Sequence, residues 1–252
     1  MISFILPAHN EEAWIARSVA AARQSGERLR EPFEVIVVDD SSTDATGRIA
    51  AEGGAQVIRV EHRHIAATRN AGAKIARGDY LFFVDADTLA NPATVRAALA
   101  AMRNGAVGGG AAVRFDGWVP LWAGLLYPPY SVVSRLIKLV GGCFFFCTRE
   151  TFEAVGGFPE QYYASEETIL AAALKKRGRF VVPGPTVVTS ARKLRTIPLA
   201  EFLRWLRKLQ IEGSAAFRRR EGLEFWYGPR AKDTLESCRT TRCEQKWGGA
   251  ES

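Results

Sequence analysis

A doubly wound α/β domain on a mostly parallel sheet is what this 252-residue sequence predicts. Three observations carry that expectation. β-prone runs alternate with helical segments over short links through the first half of the chain. The run Tyr80-Leu81-Phe82-Phe83-Val84 is apolar throughout, as a strand buried on both faces must be. Polar and acidic residues collect immediately after the strands, at the carboxyl edge where such sheets bind ligands.

Ile2 to Leu6 is the first strand. Glu11 to Arg23 carries helical spacing through Trp14, Ile15, Val19 and Ala22, and Asn10 can cap that helix. Phe33 to Val38 is the second strand. Ser41-Ser42-Thr43-Asp44 then introduces a helix over Asp44 to Ala51, with Asp40 and Asp44 as turn and cap residues. Gln56 to Val60 is the third strand, Ile65 to Ala76 an Ala-rich helix, and Tyr80 to Val84 the fourth strand. Asn91-Pro92 opens a helix that runs to about Met102, with its proline in the first turn.

Beyond Gly108 the pattern is less regular. Gly109 to Phe115 reads as a strand, Leu121 to Val140 as a broken amphipathic helical segment, and Gly142 to Thr148 as another strand. Arg149 to Val155 is a short helix ended by Gly156-Gly157. Glu167 to Arg177 is a helix ended by Gly178, and Arg179 to Val182 is a strand. Pro198 to Arg220 reads as one or two basic amphipathic helices, and beyond Pro229 the chain becomes a polar tail expected to fray.

Hydrophobic residues at 47% and charged residues at 24% supply a sizeable core and exclude a disordered chain. Met1 to Pro7 lacks a basic leader and reads as a strand, not a signal peptide. The longest apolar region, Trp118 to Phe146, is interrupted by Pro128-Pro129, Arg135 and Lys138, so no membrane span is expected. A cytoplasmic protein is the expectation, with peripheral contact at the inner face of the membrane left open. The net charge of +7 is uneven: from Arg192 to Arg230 ten Lys/Arg stand against four Glu. Such a stretch attracts phosphate, anionic lipid or nucleic acid, and no nucleic-acid motif accompanies it, so nucleic acid is not an expected partner. Cys143 and Cys147 lie within an apolar run and read as free, unreactive thiols. Cys238 and Cys243 lie in the polar tail, and neither pair has zinc-ribbon spacing.

The chemistry concentrates at Asp85-Ala86-Asp87, directly after the buried fourth strand. Two carboxylates at i and i+2 repel unless a cation lies beside them. Oxygen ligands suit Mg²⁺ or Mn²⁺, which commonly bridge to substrate phosphates. The same triplet also reads as a solvated turn capping the next helix. Glu166-Glu167 offers a general base, or simply complements a helix dipole. His62-x-His64 lacks a third ligand nearby, and both histidines read as surface residues. Gly108-Gly109-Gly110 precedes a strand and lacks dinucleotide-binding spacing. Ser190 to Arg195 reads as a basic loop, either solvated or clamping an anion.

The chain resembles family 2 glycosyltransferases of the nucleotide-diphospho-sugar transferase (GT-A) fold. The matching pieces are Leu6-Pro7-Ala8-His9-Asn10-Glu11-Glu12, Val37-Val38-Asp39-Asp40-Ser41-Ser42-Thr43-Asp44, Arg69-Asn70-Ala71-Gly72, Gly78-Asp79 through Asp85-Ala86-Asp87, Gly156-Gly157-Phe158 and Ser165-Glu166-Glu167. They occur in the family's order and cover roughly Met1 to Val188. The resemblance implies a Rossmann-like sheet flanked by helices, with a basic helical C-terminal appendage. The domain spans 1–190, divided into a nucleotide-binding half 1–107 and an acceptor half 108–190. The appendage covers 191–230 and a polar tail 231–252.

The resemblance also implies roles. Pro7, Ala8, Asn10 and Glu11 would line a nucleoside pocket, and Asp39 would accept from a base imide N–H. Arg69 would reach the diphosphate. Asp85 and Asp87 would hold Mg²⁺ or Mn²⁺, with Asp87 the direct ligand and Asp85 also near a ribose hydroxyl. Glu167 stands where the family normally has the Asp of a Glu-Asp pair; it is the expected base, with Glu166 in reserve. The expected activity is inverting, metal-dependent transfer from a UDP- or GDP-sugar to a glycan, lipid or small-molecule hydroxyl. Sugar nucleotidyl transfer and non-catalytic nucleotide-sugar binding are the alternatives. Trp118, Trp122, Tyr127 and Tyr130 could stack on a sugar or a lipid, or pack the core. The sequence carries no indication of oligomeric state.

Overall fold

A computed structural model of the chain describes residues 1–196, 204, 207, 217–221 and 223. Its strands and helices follow in the order β1 (Ile2–Ala8), α1 (Ile15–Leu29), β2 (Phe33–Asp40), α2 (Thr46–Glu52), β3 (Gln56–Val60), α3 (Ile65–Ile75), β4 (Tyr80–Val84), β5 (Thr88–Leu89) and α4 (Pro92–Arg103). There follow β6 (Ala106–Gly110), β7 (Ala112–Asp116), α5 (Leu121–Leu136), β8 (Phe144–Thr148), α6 (Arg149–Ala154), α7 (Glu166–Lys175), β9 (Arg179–Val181), β10 (Thr186–Ser190) and α8 (Arg192–Thr196). Apart from α8, the expected appendage and tail lie almost wholly outside the described residues, as do the helices expected over Pro198 to Arg220.

A seven-stranded sheet runs in the order β3-β2-β1-β4-β8-β6-β9. β1 to β4 are parallel, β8 is antiparallel to both its neighbours, and β6 is parallel to β9. The expected doubly wound sheet is therefore present. Side chains alternate across a strand, so Phe144-Phe145-Phe146 on β8 feeds both faces. Phe144 and Phe146 join Phe4 and Phe82 with residues of α1 and α4. Phe145 joins Phe83, Phe152 and Phe158 with residues of α3, α6 and α7. Phe83 meets the Phe158 ring edge-on at 4.8 Å. This aromatic slab anchors β4, the strand that ends in Asp85.

The structure departs from the sequence reading at several points, each set by contacts between segments distant in the chain. α1 begins at Ile15, because the N–H groups of Glu11 and Glu12 are taken by Thr46 Oγ1 (2.8 Å) and Asp44 Oδ2 (3.2 Å). Asn10 does not cap it: its side chain instead accepts from the Thr43 N–H at 2.8 Å. The strand expected from Gly109 to Phe115 is broken at Ala111, and the two parts serve different sheets. β6 stays in the main sheet, whereas β7 joins a three-stranded sheet ordered β5-β10-β7. That small sheet is unanticipated; it is closed by a buried hydroxyl pair, Thr88 with Thr189, at 2.8 Å.

α5 is continuous through Pro128-Pro129. No helix among the described residues is long and apolar enough to cross a membrane. Cys147 is buried and Cys143 half-buried, and both are free, as expected. The glycines of β6 admit their neighbours closely: a Cβ on Gly109 would lie 2.1 Å from the Val181 carbonyl oxygen and 2.5 Å from the Phe146 ring. Gly109→Ala is expected to cost about 1–3 kcal/mol, read as a lower midpoint in urea unfolding.

Candidate active site

A cavity of about 1030 Å³ opens at the carboxyl edge of the main sheet. β1 contributes Pro7 and Ala8 and the following loop Glu11. β2 contributes Asp40, α3 and its cap His64, Thr68 and Arg69, and the end of β4 Asp85 and Asp87. Glu166 and Glu167 enter from the first turn of α7, and Trp122, Tyr127 and Tyr130 from α5. Eight of the ten residues singled out in the sequence thus line one cavity; Asn10 and Asp39 do not.

Two buried arginines organise the carboxylates. Arg69 donates to Glu166 Oε1 at 2.5 Å, to Asp85 Oδ1 at 2.8 Å and to the Gly142 carbonyl at 2.9 Å. Its guanidinium lies 5.2 Å from the Phe158 ring centroid, at cation–π range. Gly142 permits the approach, since a Cβ there would lie 2.8 Å from Arg69 Nη2. Burial opposes the charge on Arg69, but Asp85, Glu166 and Glu167 more than offset it and hold the pKa above the ordinary arginine value. Arg192 donates to both carboxylate oxygens of Glu11 at 2.9 Å and lies 3.7 Å from Asp87 Oδ2.

Arg192 is a correction to the sequence reading. The stretch taken as a basic loop forms helix α8, and Arg192 is buried within the acidic set. Glu11, expected against a nucleoside, is equally buried and holds Arg192. His64, read as a surface residue, is also buried. Its Nδ1 accepts from the Ala67 N–H at 3.4 Å to cap α3, and its ring lies 4.5 Å from that of Tyr163. His64 Nε2 and Arg69 Nε are buried without a protein partner among the described residues, and both residues line the cavity.

Asp39 is only 1% exposed; it accepts from the Ser42 N–H at 3.2 Å and from Arg59 Nε at 3.4 Å. Asp40 accepts from the Arg63 N–H at 2.8 Å, the His64 N–H at 3.2 Å and the Thr68 hydroxyl at 2.7 Å. Burial pushes its pKa up, but these donors outweigh burial and hold it below the ordinary carboxylate value. Asp44 accepts from the Thr46 N–H at 2.9 Å, but the N-cap position of α2 is held by Ala45, so Asp44 is a turn residue one place before the cap.

Glu166 and Glu167 differ in environment. Glu166 is buried in its ion pair with Arg69. Glu167 is half-buried, and its pKa is pushed up to about 8, first by burial and then by the adjacent Glu166 carboxylate. Burial, then Asp85, Asp87 and Glu167, raise the Cys143 thiol pKa, which keeps it neutral.

Asp85 and Asp87 present only oxygen donors. Among the described residues no cluster of three His, Cys, Asp or Glu could hold a metal alone. Two carboxylates on a cavity wall nevertheless suit Mg²⁺ or Mn²⁺, ions that keep water and phosphate oxygens as their remaining ligands. The donor set fits such an ion.

The sequence matches the family model described as glycosyl transferase family 2 over residues 3–155. It is 34% identical over 109 residues to validoxylamine A glucosyltransferase of Streptomyces hygroscopicus subsp. limoneus, covering 40% of this chain and 23% of that protein. The chain spans about a quarter of the length of the curated relatives it matches. Among solved structures it is similar to the mannosyltransferase PcManGT from Pyrobaculum calidifontis in complex with GDP-Man and Mn²⁺, with TM-score 0.63 and 20% identity over 94% of this chain and 77% of that one. It is also similar to glucosyl-3-phosphoglycerate synthase from Mycobacterium tuberculosis in complex with Mn²⁺, UDP and glucosyl-3-phosphoglycerate. There the TM-score is 0.55 and the identity 23%, over 93% and 81% of the two chains. At these identities the likeness is one of fold.

Replacing Arg69 by Met leaves Glu166 buried without its counter-ion. The variant is expected to lose about 3–5 kcal/mol of stability, measured by equilibrium denaturation.

Proposed function

The chain belongs to glycosyl transferase family 2, and we propose that it transfers a hexose from a UDP- or GDP-sugar to an acceptor hydroxyl with inversion at the anomeric carbon. One observation carries this reading: a single cavity gathers an arginine-braced acidic rim at the sheet edge and a raised-pKa carboxyl on the opposite helix. The GDP-Man and Mn²⁺ of one similar structure, and the UDP and Mn²⁺ of the other, support the donor class.

Pro7 and Ala8 form the wall for the nucleoside in the cavity that His64 also lines. Asn10 braces the adjoining loop through Thr43. Asp39 lies outside the cavity lining, held by the Ser42 N–H and by Arg59; it would reach a base imide N–H once Arg59, whose side chain is mostly exposed and therefore a weak partner, moves aside. Glu11 holds Arg192 toward the diphosphate side, and Arg69 supplies a second fixed positive charge there. Asp87, with Asp85, would hold Mg²⁺ or Mn²⁺, which stabilises negative charge on a departing diphosphate.

Glu167 takes the proton from the acceptor hydroxyl. Glu166 is committed to Arg69 and positions it, which leaves Glu167 as the base. With one base and no second carboxyl assigned as nucleophile, attack from the face opposite the diphosphate follows, hence inversion. The acceptor is a glycan, a lipid or a small molecule.

Thermal-shift screening of UDP- and GDP-sugars with Mn²⁺ tests the donor: one of them is expected to raise the melting temperature, increasingly so as its concentration exceeds its Kd. Stabilisation by none, or pyrophosphate release from a nucleoside triphosphate and a sugar phosphate, would overturn the reading. Asp87→Asn is expected to abolish metal-dependent transfer while retaining the melting transition of the parent.

Glu167→Gln is expected to lower kcat about 10²–10⁴-fold, and the parent's rate to rise with pH toward about 8. The same shift affects stability. Glu167's pKa is raised above 4.5 in the folded state, so its contribution is complete below that value and is lost as pH rises through about 8. The Gln variant should therefore gain melting temperature relative to the parent across that window, as read by calorimetry at several pH values.

A further inference from the structure

Helix α5 is built inside out. A surface helix ordinarily turns its apolar stripe to the core and its polar residues to water. α5 instead buries Ala123 and Ser134, with the Tyr127 hydroxyl donating to the Val113 carbonyl at 2.8 Å. Outward it presents Leu121, Leu125, Val132 and Leu136, which are 90%, 73%, 59% and 77% exposed. These four share one helical face, and Trp118, Val133 and Ile137, also exposed, extend it. Single exposed apolar residues are ordinary; a contiguous set of this size marks an interaction surface.

Charge indicates what covers it. Between Asp116 and Glu150 the sequence holds no acidic residue, while Arg135, Lys138 and Arg149 fall in that interval. At the C-terminal end of α5, Lys175 Nζ donates to the carbonyls of Ile137 and Lys138 at 3.4 and 2.9 Å, and Lys138 itself is exposed. Before its N-terminal end, Arg195 donates to the carbonyls of Asp116 and Trp118 at 3.0 and 3.1 Å. An apolar face with cations at both ends matches an anionic bilayer, which offers acyl chains to the leucines and phosphates to the rim. A second copy packed face to face would set cation against cation, with no carboxylate on the segment to meet them. Sixteen residues make a helix about 24 Å long, short of the roughly 30 Å hydrocarbon layer. It suits lying in the interface, not crossing it.

The same helix lines the cavity through Trp122, Leu126, Tyr127 and Tyr130. We propose that α5 docks the protein on an anionic lipid bilayer and that the acceptor is a lipid-borne hydroxyl drawn from it along this helix. The acceptor half rests on the transferase reading above; the docking half does not.

Co-sedimentation of the full chain with mixed phosphatidylcholine–phosphatidylglycerol vesicles tests the docking, with Leu125→Asp/Leu136→Asp as the variant. The parent is expected to sediment with mixed vesicles and far less with pure phosphatidylcholine. The variant should lose about tenfold or more in vesicle affinity. Its Mn²⁺-dependent hydrolysis of the donor sugar should match the parent's, because neither leucine lines the cavity. A parent that stays in the supernatant, or a variant that binds like the parent, overturns the proposal. So does a parent dimer that the variant dissociates, which assigns the face to a second copy, or a variant that fails to fold, which assigns it to packing within the chain. Vesicle binding lost in the variant, with no donor turnover in either protein, upholds the docking and sinks the transferase reading instead.

Discussion

Four carboxylates from distant parts of the chain share one small volume, and two guanidiniums make that arrangement tolerable. Arg69 joins Asp85 to Glu166, and Arg192 joins Glu11 to Asp87. Without a positive charge between them, carboxylates this buried would hold protons or splay apart. A planar, always-charged fork can satisfy two of them at once. The repulsion that made Asp85-Ala86-Asp87 suggest a cation in the sequence is thus partly met by the protein itself. Under the proposed transferase reading, a metal arriving with a diphosphate would enter an acidic rim already in place.

Much of this was legible because it is local. The apolar run of β4 and the aspartates after it are adjacent in sequence, and strand direction alone puts them at the ligand-binding edge. The alternating elements from β1 to α4 were legible for the same reason: their hydrophobic periods are short and their turn residues sit between them. The parts that stayed hidden depend on distance. Arg192 reaches Glu11 across 181 positions, and nothing near Arg192 distinguishes it from other residues of a basic stretch. His64 looked like a surface residue because its contact with Tyr163 exists only once α3 and the loop after α6 are packed together; its capping bond to the Ala67 N–H is local to α3.

The break at Ala111 shows the same limit. Gly109 to Phe115 has the composition of one strand. The chain leaves the main sheet because the glycines of β6 fit between β8 and β9, where no side chain fits, while the following residues find partners in β10. Close packing of backbones, not propensity, decides where the strand ends. Likewise, the raised pKa of Glu167 arises from burial and from Glu166 beside it, and only the folded chain sets the burial.

The three-stranded sheet has a mechanical consequence. β5 directly follows Asp87, β7 leads into α5, and β10 leads into Arg192, so one three-stranded sheet joins the segments that carry Asp87, α5 and Arg192. A push on α5 that shifts β7 is therefore passed to β10 and β5 as well. Remodelling the helix without disturbing the acidic rim requires that this crossbar keep its register, which makes it a natural seam along which such a fold could exchange one wall of its cavity for another.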